Sequence, residues 1–195
     1  MLSGVFDSLA KFVEIKQRFR EDDNSYPMGL DFAYVMAKRS FDILSRKIKK
    51  CISDIKEGNI TGDVENIIFI TIAATGAISG IARGSNQTAL AHKFYEATRF
   101  FFPEKAKPFL HGEIVGIGLI LQNYFNGEEE NNASLISLMK EYDMPYLISD
   151  IGIPKSAEYF KKYYEKLCSG SAIDDKNEDE CATFLKSLEY LWNIE

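Results

Sequence analysis

Apolar residues recur at intervals of three and four along almost the whole chain, and no stretch joins strict alternation to hairpin turn chemistry. That spacing predicts helices at about 4–20, 28–57, 62–82, 86–102, 106–125, 130–142, 155–167 and 178–193. The breaks between them carry helix-stopping residues: Asn24-Ser25-Tyr26-Pro27, Gly58-Asn59, Arg83-Gly84-Ser85-Asn86, Pro103, Asn126-Gly127, Gly152-Ile153-Pro154 and Ser169-Gly170-Ser171. The expectation is an all-α multi-helix bundle with short connections. No glycine-rich turn between a strand and a helix, the usual cradle for a nucleotide's phosphates, is present.

At 195 residues the chain is long enough to bury a core as one domain, or as one domain with a trailing subdomain. Its formal charge of −6 and pI near 5.1 argue against a nucleic-acid partner, which needs a basic face. Lys47, Lys49 and Lys50 cluster, but Asp42, Asp54 and Glu57 flank them, as on a solvated helix face. Cys51, Cys168 and Cys181 lack metal-site spacing and read as reduced thiols of a cytoplasmic protein. The N-terminal residues carry Asp7, Lys11 and Glu14 and so lack the apolar core of a signal peptide. The most apolar run, 67–82, falls short of the roughly 20 residues that span a bilayer. It is expected to be a buried central helix, whose Ala73, Ala74, Gly76, Ala77 and Gly80 let neighbours approach; no membrane partner is expected.

Both histidines fall between Ala89 and Gly118. On the helix expected at 86–102, Leu90, Phe94, Ala97 and Phe101 share one face. His92 lies opposite with Ser85, Thr88, Glu96 and Arg99. It is then either a solvent-exposed histidine or a residue facing a cleft, where an imidazole nitrogen can bind a metal. His111 begins "HGEIVGIG", whose Gly112, Gly116 and Gly118 are poor helix formers. Something must come close to that backbone, and tight helix packing would suffice, with Glu113 complementing the helix dipole. Asp7 sits on the first helix opposite Val5, Leu9, Phe12 and Val13, beside Lys11, Glu14 and Arg18. An exposed Asp7–Lys11 pair at i, i+4 accounts for it without any metal.

The segments "SGVFDSLAKFVE", "GSNQTALAHKFYE" and "LHGEIVGIGL", in this order, resemble the C-terminal helical metal-binding domain of the glycerol dehydrogenase and iron-containing alcohol dehydrogenase family. That family includes sn-glycerol-1-phosphate dehydrogenase and 3-dehydroquinate synthase. The resemblance runs to about Pro154, leaving helices over 155–195 as a tail on a single helical domain, 1–195. It implies that Asp7, His92 and His111 hold a divalent metal that polarises a substrate hydroxyl for hydride transfer to NAD(P). Family members of the iron type carry a further histidine one turn after the aspartate; Lys11 stands there in this chain, which points to zinc rather than iron. A polyol such as glycerol, or a simple alcohol, is the implied substrate.

Two departures qualify that expectation. The family's nucleotide-binding domain precedes this one, whereas Asp7 here follows Met1 by six residues. The chain is therefore expected to be incomplete and inactive in isolation, either as one piece of a split enzyme whose cofactor-binding domain is a separate polypeptide or as a truncated product that keeps the metal site without turnover; a homo-oligomer is compatible with the resemblance. Phe6 stands where the family usually has a small residue, and either narrows the site or packs on the core. A non-catalytic helical interaction module is the alternative reading, as is the equivalent domain of a glycerol-1-phosphate dehydrogenase-like or dehydroquinate synthase-like enzyme.

Overall fold

The computed structural model describes residues 1–18, 27–83, 88–169 and 172–195. Several expected features lie outside these: the helix end at 19–20, the break at Asn24-Ser25-Tyr26, Gly84-Ser85-Asn86 with the helix start at 86–87, and Gly170-Ser171. Among the described residues the regular structure is all helical, with no strand. The chain divides into two compact units, Met1–Gln87 and Thr88–Glu195.

The first unit holds α1 (Leu2–Arg18), α2 (Met28–Lys56), α3 (Gly62–Phe69), a π-helical turn (Ile70–Ala74) and α4 (Thr75–Ala82). Ile15 of α1, Leu30, Ala33, Tyr34 and Ala37 of α2, and Ile78 and Ala82 of α4 form its core, with Phe12 and Met36 packed alongside. Thr61 caps α3 by accepting a hydrogen bond from Val64 N–H. The basic cluster on α2 behaves as a solvated face: Lys50 pairs with Asp54 at 2.6 Å, Arg46 with Asp42 at 3.8 Å, and Lys47 with Asp63.

The apolar helix over 62–82 departs from its expected burial. Val64, Ile67, Ile70, Ala74, Ile78 and Ala82 face inward, but Ile68, Phe69 and Ile72 are exposed, Ile72 by 72%. Methyl groups added at Gly76 or Gly80 would meet nothing within 4 Å among the described residues, so within these residues the two glycines admit no neighbour. The continuous helix of 21 residues is also longer than the apolar run within it, and by length and composition alone could cross a membrane. Its inner face instead packs in the unit, where Ser8 and Thr75 hydroxyls share a buried hydrogen bond of 2.6 Å.

The second unit holds α5 (Leu90–Phe101), α6 (Pro103–Ala106), α7 (His111–Phe125), α8 (Glu130–Glu141), α9 (Ala157–Cys168) and α10 (Glu178–Asn193). The helix expected over 106–125 is divided: Pro108 supplies no N–H to continue the ladder, so α6 ends at Ala106, with Lys107 still in the helical region, and α7 begins anew at His111. Residues 88 and 89 are not helical, and α5 begins at Leu90. Gly58 and Gly127 end their helices with positive φ of 78° and 73°. Tyr163 of α9 is the aromatic hub, its ring 5.4 Å from Phe94, 5.5 Å from Phe101 and 5.4 Å from Trp192. Its hydroxyl donates to Thr98 Oγ1 at 2.9 Å, while burial pushes the phenol's pKa up.

Candidate metal centre

The second unit brings the two histidines together. α5 and α7 run antiparallel, since Leu90 meets Gln122 at one end and Tyr95 meets His111 at the other. At the near end, Leu90 N–H donates to the buried Gln122 Oε1 at 2.7 Å, satisfying one of the unpaired donors of the α5 N-terminus. In between, Gly118 lies so close to α5 that an added Cβ would sit 2.5 Å from Ala91 O and 2.8 Å from Ala91 Cα. Only a residue without a side chain permits that approach, and Ala91 directly precedes His92. This is the close backbone approach expected from the glycines of "HGEIVGIG".

His111 is the first residue of α7, and Glu113 reaches back to accept the Leu110 N–H at 2.7 Å. Its imidazole is packed edge-on by Tyr95, with ring centroids 4.3 Å apart. His92 and His111 have ring centroids 5.3 Å apart, with planes inclined at 48°. His111 is exposed, whereas His92 retains only 6% of its surface. The solvent-exposed reading of His92 is therefore wrong. Periodicity correctly puts Leu90, Phe94 and Ala97 in the core, but it identifies only the most apolar face and cannot show what covers the opposite one.

The imidazole spacing suits one ion. With metal–nitrogen bonds of about 2.0–2.1 Å, each ring centre lies about 3.2 Å from the metal, and a tetrahedral angle then separates the two centres by about 5 Å. Two neutral nitrogens at that spacing are donors for zinc or another borderline divalent metal.

Asp7 belongs to the first unit, on α1, where its Oδ1 lies 3.7 Å from Lys11 Nζ. The i, i+4 pair exists, but it is not an exposed one: the Lys11 side chain is 7% accessible and that of Asp7 25%. Glu14, expected on the same outer stripe, is also buried. The long apolar stem of Lys11 makes such burial tolerable once its ammonium is paired. Phe6 is completely buried. Four basic residues of the second unit are engaged locally: Lys93 with Glu96 at 2.8 Å, Lys105 with the Gly152 carbonyl at 2.9 Å, Lys107 with Glu104 at 4.0 Å, and Arg99 over the Tyr95 ring.

No protein-family model matches the chain. Hydroxycarboxylate dehydrogenase A of Escherichia coli (strain K12) is 22% identical over 153 residues, which is 78% of this chain and 41% of that enzyme. Glycerol-1-phosphate dehydrogenase [NAD(P)+] of Sulfurisphaera tokodaii is 29% identical over 117 residues, 59% of this chain and 31% of that one. Two solved structures, a probable glycerol dehydrogenase from Sinorhizobium meliloti 1021 and glycerol dehydrogenase from Schizosaccharomyces pombe, each superpose on 97% of the chain with a TM-score of 0.71, at 19% and 20% identity. The chain spans 53% and 50% of their lengths, and less than half of the curated relatives. In its all-helical fold and in its sequence the chain resembles the C-terminal helical domain of glycerol dehydrogenases and related dehydrogenases.

Proposed function

We propose that these residues form the metal-holding part of a dehydrogenase acting on a polyol or simple alcohol, with Asp7, His92 and His111 as the protein ligands of a divalent metal. The observation that supports it most is the pair of imidazoles from α5 and α7, set 5.3 Å apart by the Gly118–Ala91 contact. Such a metal, once bound, supplies a Lewis acid that stabilises the alkoxide from which hydride leaves.

In this reading the chain's residues divide the work by position. His92, on the buried side, fixes one nitrogen; His111, on the exposed side, leaves an approach for a small hydroxyl compound. Tyr95 holds the His111 ring by edge contact, and a ring so held loses less freedom on binding an ion. Lys11 stands one turn from Asp7 where a fourth protein ligand would otherwise sit, which favours zinc with one position left open for substrate. The locally paired lysines favour an uncharged polyol over a phosphorylated one. The nicotinamide cofactor binds on a part of the enzyme outside these 195 residues, so this chain alone shows no NAD-dependent oxidation of glycerol. Activity returns when a matching cofactor-binding polypeptide is added.

Metal analysis of protein prepared without chelator tests the reading. About one equivalent of zinc is expected, with His92→Ala and His111→Ala each weakening binding by more than about a hundredfold, beyond the usual effect of an outer-shell residue. The proposal fails if metal is absent and neither added zinc nor added iron raises the melting temperature. It also fails if metal persists after both substitutions. The exposed Ile68, Phe69 and Ile72 support the rival reading, a helical association module, which stands if metal binding fails.

A further inference from the structure

α9 and α10 are antiparallel neighbours whose register is set by aromatic contacts. Tyr164 stacks on Phe184 with centroids 5.3 Å apart and planes within 22°, and further along Phe160 meets Trp192 edge-on at 5.6 Å. Moving one turn from Tyr164 toward the end of α9 reaches Cys168; moving one turn from Phe184 toward the start of α10 reaches Cys181. Residues at i+4 and i−3 stay on the face of their reference residue, so the two cysteines project from the facing sides of the two helices.

Neither thiol is sealed off, since both residues are partly exposed, whereas Cys51 is buried in the first unit. Cys181 is seated at the head of α10, its Sγ 3.7 Å from the carbonyls of both Asp174 and Asp175 and its N–H donating to Asn177 O at 3.0 Å. Burial pushes the Cys168 thiol's pKa up, a hydrogen bond with Tyr164 pulls it down, and the neighbouring Cys181 pushes it up again.

We propose that Cys168 and Cys181 are a reversible disulfide-forming pair that staples the end of α9 to the first turn of α10. With a small-molecule disulfide such as oxidised glutathione as the oxidant, one cysteine thiolate attacks a glutathione sulfur, forming a mixed disulfide and expelling one glutathione thiolate. The second cysteine, as its thiolate, then attacks the protein sulfur of that mixed disulfide and expels the other glutathione. Two protein thiols lose two electrons and two protons; one glutathione disulfide is reduced to two thiols.

The test is intact and peptide mass spectrometry of the whole chain after exposure to oxidised glutathione, with free thiols then alkylated. The expected product is lighter by two hydrogens, carries one alkylated cysteine, Cys51, and yields a linked pair of peptides containing Cys168 and Cys181. Cys168→Ser and Cys181→Ser should each stop at a stable glutathione adduct on the remaining partner, and a dithiol reductant should reverse every product. Separate adducts on both cysteines of the folded wild type, with no internal link, would overturn the proposal. So would an internal link that uses Cys51. The outcome is independent of metal binding and of dehydrogenase activity.

Discussion

Each unit contains one conspicuously apolar, glycine-bearing helix, and the two are used in opposite ways. In the first unit, the helix through α3 and α4 buries one face and leaves Ile68, Phe69 and Ile72 exposed, and no described residue lies within 4 Å of where side chains would project at Gly76 and Gly80. In the second, α7 is buried from Ile114 to Asn123, and Gly118 is pressed against the α5 backbone at Ala91. Similar composition thus serves two ends. A glycine in a helix costs up to about 1 kcal/mol in propensity wherever it stands, but of Gly76, Gly80 and Gly118 it is Gly118 that returns a close contact among the described residues, and that contact seats His92 beside His111.

Substitution at Gly118 should break the comparison most severely. Gly118→Ala forces a methyl into the Ala91 carbonyl, and we expect a loss of about 3 kcal/mol in a denaturant titration, at the upper end of ordinary overpacking, together with weaker zinc binding. If the variant keeps full stability and full metal affinity, the helices do not need that closeness. Next in size is Gln122→Leu, which leaves the buried Leu90 N–H without its acceptor. It should cost about 1–3 kcal/mol.

The open glycines should respond in the opposite direction. Gly76→Ala and Gly80→Ala should each raise stability by up to about 1 kcal/mol, read as a higher melting temperature, because they gain helix propensity without meeting an atom. A loss at either position would mean that the face is covered in solution. Smallest is Ile72→Lys, on the same outer face, for which we expect a change within about 0.5 kcal/mol and a gain in solubility.

These contrasts also show what the sequence could carry. The helical class is explicit in the three-and-four spacing, and Gly58, Gly127 and Gly152 mark turns because each adopts positive φ. The place of Glu113 in the first turn of α7, where an acid suits the dipole, is equally local and equally legible, whereas its capping of the Leu110 N–H is seen only in the structure. Division of the helix at Pro108 was also a local signal, outweighed by the apolar residues on either side. Burial on the less apolar side of a helix is a different matter. His92, Lys11 and Glu14 are buried and Ile72 is exposed because of what other elements cover, and periodicity within one helix holds no information about that.

The central claim is that the imidazoles of α5 and α7 hold a single metal ion. X-ray absorption at the zinc edge of the metal-loaded protein tests it most directly. The account predicts a first shell of nitrogen and oxygen at about 2.0–2.2 Å with outer-shell scattering from two imidazole rings, reduced to one ring in His92→Ala and in His111→Ala. Sulfur at about 2.3 Å, or an imidazole signal unchanged by both substitutions, would contradict it.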